Sequence, residues 1–152
     1  MITISDSVSN GTSKDESGPI LVKALEDMGL IKRNYYIIPD EVTTIAELLE
    51  DISDEGADLI VTTGGTGFSM RDVTPEATKK IIDREAPGIS EAIRSFGMTK
   101  TPNSMLSRGV CGLKEKTLII NMPGSPKAVK DSLEVISPVL NHAFDMIQGK
   151  KH

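Results

Sequence analysis

Tryptophan is absent from this sequence, and its aromatic residues are only three phenylalanines and two tyrosines. Proteins that hold single-stranded nucleic acid stack bases on aromatic side chains, and duplex binders carry a basic stripe. Here 17 Lys and Arg face 22 Asp and Glu, a formal net charge of −5, so neither kind of nucleic-acid partner is expected. Cysteine is nearly missing too. Cys111 alone excludes an internal disulfide and suits a reducing, cytoplasmic setting. It sits among Val110, Gly112 and Leu113 without a second Cys or a His at useful spacing, which removes a zinc site or a Cys–His pair and leaves a small core residue. His142, next to Leu140 and Ala143, reads as structural or surface. No apolar run approaches the roughly 20 residues that a membrane span requires, and no charged start leads into an apolar secretion signal. Asn10-Gly11-Thr12 matches a glycosylation sequon but reads as a turn.

The chain has 152 residues, 38% hydrophobic and 26% charged, the composition of one compact domain with a real core. A single domain over 1–149 is expected, with 150–152 a frayed tail. Short apolar runs alternate with amphipathic stretches. Met1 to Ile4 is a strand ending at Ser5-Asp6-Ser7. Leu21, Ala24, Leu25 and Met28 mark a helix closed by Gly29. Tyr35 to Ile38 is a second strand, and Ile45, Leu48, Leu49 and Ile52 mark a second helix, with Thr44 and Glu47 spaced as a capping box. Asp58 to Thr62 is a continuous apolar strand of the kind buried on both faces. It enters Gly64-Gly65-Thr66-Gly67, and Thr74-Pro75-Glu76 then reads as N-cap, N1 and acidic first turn. A short helix over 89–96 and a looser region follow. Thr117 to Asn121 is another strand, after which Ser125 and Pro126 offer a second N-cap and N1. Two helices close the chain, one carrying Val129, Leu133 and Ile136, the other Leu140, Ala143, Phe144 and Ile147. This alternation predicts an α/β, three-layer domain with a mostly parallel central sheet.

Parallel sheets bind ligands outside the carboxyl ends of their strands. The residues expected there are Ser5 and Asp6, then Pro39 and Asp40, then the glycine loop with Arg71-Asp72, then Pro123-Gly124-Ser125-Pro126. The glycine loop is not a Walker loop, since no lysine follows it. Nor is it a dinucleotide fingerprint, since Met70 stands where the third glycine belongs. Its backbone N–H groups either approach a ligand or only turn a tight corner. Asp40 and Asp72 are turn-forming carboxylates or holders of a hard cation near phosphate. Ser125-Pro126 opens a helix whose N-terminus is suited to an anion. Ser107 and Arg108 bind a phosphate or brace a loop.

Taken together, the strings SDSVSNGTSKDESGP, IPDE, TTGGTGFSMRDVTPEATKKIIDREAPG, TPNSMLSRGVCG and TLIINMPGSPKAV resemble the MogA/MoaB family of molybdenum-cofactor biosynthesis. That family includes the G domain of gephyrin. The resemblance runs nearly the whole chain in consistent order. Its one departure is the short apolar run before Ser5-Asp6. It implies a homotrimeric domain that binds molybdopterin and, in catalytic members, uses ATP and Mg²⁺ to adenylate its terminal phosphate. Asp40 and Asp72 would then be the catalytic carboxylates and Mg²⁺ ligands, and Gly64, Gly65, Thr66 and Gly67 the nucleotide-site backbone. Ser5, Asp6, Ser107, Arg108, Pro123, Gly124, Ser125 and Pro126 would contact the pterin substrate or its phosphate. A molybdenum-insertion protein or domain is a further implied partner. The alternatives are a non-catalytic molybdopterin-binding or scaffolding domain of the same fold, and an unrelated flavodoxin-like phosphate binder.

Overall fold

Alternation of apolar runs with amphipathic stretches becomes, in the computed structural model, a six-stranded sheet between two helical layers. The structure describes residues 1–150. The elements are β1 (Ile2–Ile4), α1 (Asp6–Ser9), α2 (Ser17–Asp27), β2 (Tyr36–Ile38), α3 (Val42–Asp54), β3 (Leu59–Thr63) and α4 (Thr74–Ile81). They continue as β4 (Arg84–Glu85), α5 (Pro87–Met98), a 3₁₀ turn over Pro102–Leu106, β5 (Cys111–Lys114), β6 (Thr117–Met122) and α6 (Pro126–Ile147). The strand order is β2-β1-β3-β6-β5-β4. The first four strands in that order run parallel, and β5 and β4 add an antiparallel edge.

Period-two alternation in β3 and β6 separates two cores. Val61, Leu118, Ile120 and Met122 point to one face, where Leu21 of α2, Ile93 of α5 and Val129, Leu133 and Ile136 of α6 cover them. Ile60 and Ile119 point to the other, against Ile45 and Leu49 of α3 and Ala77 of α4. The three-layer α/β expectation therefore holds. Cys111 is buried in the first core, and burial pushes its thiol up to about 12, so it stays protonated and inert at neutral pH.

Several local expectations are corrected. Helix α3 begins at Val42, with extended Glu41 before it and no side-chain cap, so Thr44 lies inside the helix. The carboxylate of Glu41 is engaged by Arg71 instead. Thr74 is not the N-cap of α4; Val73 precedes the helix, and the Thr74 hydroxyl donates to Gly64 O at 2.9 Å. Ser125 does cap α6, accepting Ala128 N. Helix α5 starts at Pro87, two residues ahead of the expected start at 89, because Pro in a first turn forfeits no helical bond. The two closing helices are one, α6, running through Pro138. The missing hydrogen bond costs about 3 kcal/mol, and burial of Leu133, Ile136 and Leu140 on one continuous face offsets it. Asn10-Gly11 forms the expected turn, with Gly11 at φ 80 and Asn10 Oδ1 accepting Thr12 N at 3.0 Å. Lys150 is tied to Asp145 by both its backbone N–H and its ammonium, and the remainder of the expected tail, residues 151–152, lies outside the described residues.

Candidate functional site

The parallel strands deliver their carboxyl ends to one edge. β1 and β2 finish in register at Ile4 and Ile38, and Ser5 N donates to Ile38 O at 2.9 Å. Ser5 Oγ then accepts Val8 N and starts α1, a turn the sequence did not reveal. Immediately beyond the strands, two aspartates clasp each other's backbone. Asp6 N donates to Asp40 Oδ2 at 2.9 Å, and Asp40 N donates to Asp6 Oδ1 at 3.0 Å. Arg71 closes on the pair from the glycine loop, donating to both Asp6 oxygens at 2.9 and 3.0 Å and to Glu41 Oε1 at 2.8 Å. The guanidinium beside Asp6 holds its carboxyl below the usual range.

Asp40 differs from Asp6. It is 9% exposed, and its Oδ1 is buried without a hydrogen-bond partner among the described residues. Burial pushes its carboxyl up, and the nearby Asp6 and Asp72 carboxylates add to the shift. A carboxyl whose pKa is higher in the folded state binds more protons when folded. Stability then falls as pH rises from the unfolded pKa through the folded one, so ionised Asp40 is destabilising at neutral pH. Asp40→Asn exchanges one unpaired buried atom for another while removing the charge. Its melting temperature is expected to rise by about 2–4 °C at pH 7, with the gain shrinking as pH falls towards 4. Thermal unfolding followed by circular dichroism at the two pH values checks this.

The glycine loop lies against Asp40. Gly64 and Gly65 take φ of 100 and 61. A Cβ on Gly65 would stand 2.7 Å from Asp40 Oδ1 and 2.3 Å from Thr74 Oγ1, so glycine is what lets the backbone reach the carboxylate. Further along, Asp72 Oδ2 accepts Ser69 N at 2.8 Å, leaving Oδ1 without a hydrogen bond among the described residues. Arg108 braces this loop from outside. Its N–H donates to Thr66 O at 2.8 Å and its Nε to Gly67 O at 2.7 Å, while its other nitrogens reach Asp72 O and Glu76. Arg108 thus braces the loop, one of the two roles expected of it.

Opposite the glycine loop stands the Pro123–Pro126 loop. Thr63 Oγ1 donates to Pro123 O at 2.7 Å and Ser17 Oγ to Gly124 O at 2.6 Å, holding it near Gly64. Between the two loops is a crevice of about 340 Å³. Of the expected residues, Ser5, Asp40, Gly64, Gly65, Asp72, Gly124 and Pro126 line it. Asp6, Thr66, Gly67, Ser107, Arg108, Pro123 and Ser125 do not; they lie behind it or beside it. Ser107 Oγ accepts Gly109 N at 3.4 Å, and its carbonyl faces Arg94. Lys14, Asp15, Ser17 and Thr63 also line the crevice; they fall inside the strings that resemble the family but were not singled out as site residues. Thr63 was accessible by the strand-end rule; Lys14, Asp15 and Ser17 reach the edge only through tertiary packing. A larger cavity of about 540 Å³ lies at the opposite end of the sheet, near Met1, Asp58 and Leu59, and contains none of the motif residues.

Carboxylates, bare glycine backbone and a capped helix start gather at the carboxyl edge of a covered parallel sheet, forming a polar crevice at the strand ends, where such sheets hold ligands. The chain belongs to the family described as "Probable molybdopterin binding domain", whose model matches residues 1–142. A molybdopterin adenylyltransferase of Helicobacter pylori strain J99 is 39% identical over 152 residues, covering 98% of this chain and 86% of its own length. Gephyrin of Dictyostelium discoideum is 39% identical over 99% of this chain, which spans only 22% of that protein. The crystal structure of the molybdopterin biosynthesis enzyme MoaB from Thermus thermophilus superposes with a TM-score of 0.92 at 44% identity, covering 98% of this chain and 94% of that one.

Proposed function

We propose that this chain is a molybdopterin adenylyltransferase of molybdenum-cofactor biosynthesis. A terminal phosphate oxygen of molybdopterin attacks the α-phosphorus of ATP, a phosphoanhydride bond forms to AMP, and the α–β bond breaks to release pyrophosphate. The relatives' names support the activity. The single observation that carries the chemistry is Asp40 Oδ1, a buried carboxylate oxygen without a partner beside Gly65. A buried carboxylate oxygen left without a partner is poorly suited to structure and well suited to a cation.

Mg²⁺ is implied by the family, and the donors present fit it. Magnesium takes oxygen ligands, commonly one or two carboxylates with phosphate oxygens and water. Asp40 Oδ1 and Asp72 Oδ1 are two such oxygens. Asp72 and Asp40 would hold the ion, which when bound supplies neutralising charge to the triphosphate and the leaving pyrophosphate. The chain's own groups do the orienting. Backbone at Gly64 and Gly65 lets the nucleotide lie close. At the N-terminus of α6 the Lys127 N–H faces an anion without a partner among the described residues, since Pro126 has none, Ser125 caps Ala128 N and Val129 N bonds Ser125 O. Arg71 keeps Asp6 neutralised, so the crevice is less repulsive to a polyanion. No covalent enzyme intermediate is required, because positioning two phosphates in line supplies most of what this reaction needs.

A homotrimer in the cytoplasm, handing its adenylated product to a molybdenum-insertion protein or domain, completes the reading. The gephyrin relative, of which this chain spans a small part, supports such a fused or separate partner. The test is an assay of purified protein for pyrophosphate release from ATP that depends on added molybdopterin. Release only when both substrates and Mg²⁺ are present is expected. Molybdopterin binding without release identifies a scaffolding domain instead.

A further inference from the structure

The charged residues that line this crevice are mostly acidic. Asp15, Glu16, Asp40 and Asp72 contribute carboxylates, and among the described residues the one cation on the lining is Lys14. The arginines nearby are committed: Arg71 to Asp6 and Glu41, and Arg108 to the glycine loop and Glu76. Lys14 has no ion-pair or hydrogen-bond partner among the described residues.

The backbone that carries Lys14 is held firmly although it lies in a loop. Its neighbour Asp15 accepts Gly18 N at 2.8 Å through Oδ1, and its Oδ2 takes the Tyr35 hydroxyl. That hydroxyl lies 3.1 Å from Thr3 Oγ1, so the brace reaches into β1. Tyr35 loses water here and donates to a carboxylate, which pushes its hydroxyl up to about 12 and keeps it a donor at neutral pH. Gly18 leaves space for the brace, since a Cβ there would stand 1.9 Å from Tyr35 Oη. Two residues past Asp15 on the Lys14 side of the crevice, Ser17 ties the same segment to Gly124 on the facing loop.

We infer that Lys14 contacts a phosphate of a bound substrate, and that the Asp15–Tyr35–Thr3 brace is the device that keeps its backbone over the crevice. The inference rests on the phosphate-binding reading of this crevice. A lysine suits such a contact, because its compact ammonium offers three donors on a flexible stem and can follow a phosphate without bidentate geometry. Nothing within the described residues competes for it.

The test compares Lys14→Met, which keeps the stem and removes the charge, with Lys14→Arg, which keeps the charge. KM for ATP and for molybdopterin is measured separately, and inorganic pyrophosphate binding is followed by calorimetry. Lys14→Met is expected to weaken one phosphate ligand about fivefold at low salt, in KM rather than kcat, as befits an exposed charge contact. Lys14→Arg restores the affinity, and the difference fades at high salt. A KM effect confined to ATP assigns Lys14 to the triphosphate; one confined to molybdopterin assigns it to the terminal phosphate. Tyr35→Phe is expected to reproduce part of the loss, and unchanged affinity in that variant removes the brace from the account. Pyrophosphate binding that depends on Lys14 in a protein without AMP transfer sustains the inference while the enzymatic reading fails. Unaltered affinity of Lys14→Met for all three ligands overturns it.

Discussion

Asp72→Asn is expected to fold, to bind molybdopterin, and to lose AMP transfer by roughly 10²-fold or more, the scale on which removal of one group that stabilises developing charge is felt. The structure makes this substitution a clean one. Asp72 Oδ2 has a local role, accepting Ser69 N at 2.8 Å, and an asparagine oxygen can fill it. The loop is further fixed by Arg71 on Asp6 and Arg108 on Asp72 O, neither of which needs the Asp72 charge. What disappears is the negative charge and the open oxygen beside the crevice. Rates at saturating ATP and Mg²⁺, together with molybdopterin titration, separate the effects. An undiminished rate would falsify the role given to Asp72.

The largest expected loss of stability comes from Gly64→Ala. Gly64 has φ of 100, a region costly for any residue with a Cβ, and that Cβ would stand 2.2 Å from the backbone oxygen of Ile4. Backbone cannot swing aside as a side chain can. Gly64 N also donates to Met122 O, and Gly64 O accepts from Thr74, so the turn is pinned on both sides. A destabilisation of about 2–3 kcal/mol should lower the melting temperature by roughly 5–10 °C and disturb the crevice with it. Gly88→Ala is the matched control: in the first turn of α5 nothing lies within 4 Å of the added carbon, and ordinary backbone gains from it. Equal melting temperatures for the two variants would contradict the close approach of Gly64 to β1.

The parallel part of the sheet was legible because burial on two faces leaves its mark as unbroken apolar runs, as in β3 and β6, and the strand-end rule then placed Ser5, Asp40, Gly64, Asp72 and Gly124 at one edge. β4 and β5 left no such mark. Arg84 and Glu85 are exposed and form a strand only through backbone bonds to β5, and Gly112 interrupts the apolar pattern of β5 itself. Thr44 and Thr74 illustrate a different limit. Each stands at cap spacing, yet Glu41 finds Arg71 thirty residues on and Thr74 finds Gly64 O, so distant partners displaced the local signal. The role of Tyr35 was invisible for the same reason: it lies in bonds to Asp15 and Thr3, 20 and 32 residues away, which no spacing rule connects. Lys14 fell inside a string that resembles the family, but nothing local set it apart.

The position of β6 has a consequence for a chain as it is being made. β6 enters the sheet between β3 and β5, so the inner edge of β3 has no partner until residues 117–122 have been synthesised. Until then Leu59 to Thr63 presents a row of unmatched amides and an apolar face, the form of strand most prone to recruit another chain. The hydrogen bond from Ser17 to Gly124, which spans 107 residues, cannot form earlier either. A nascent chain therefore passes through an interval in which β3 is complete and its natural cover has not yet been made.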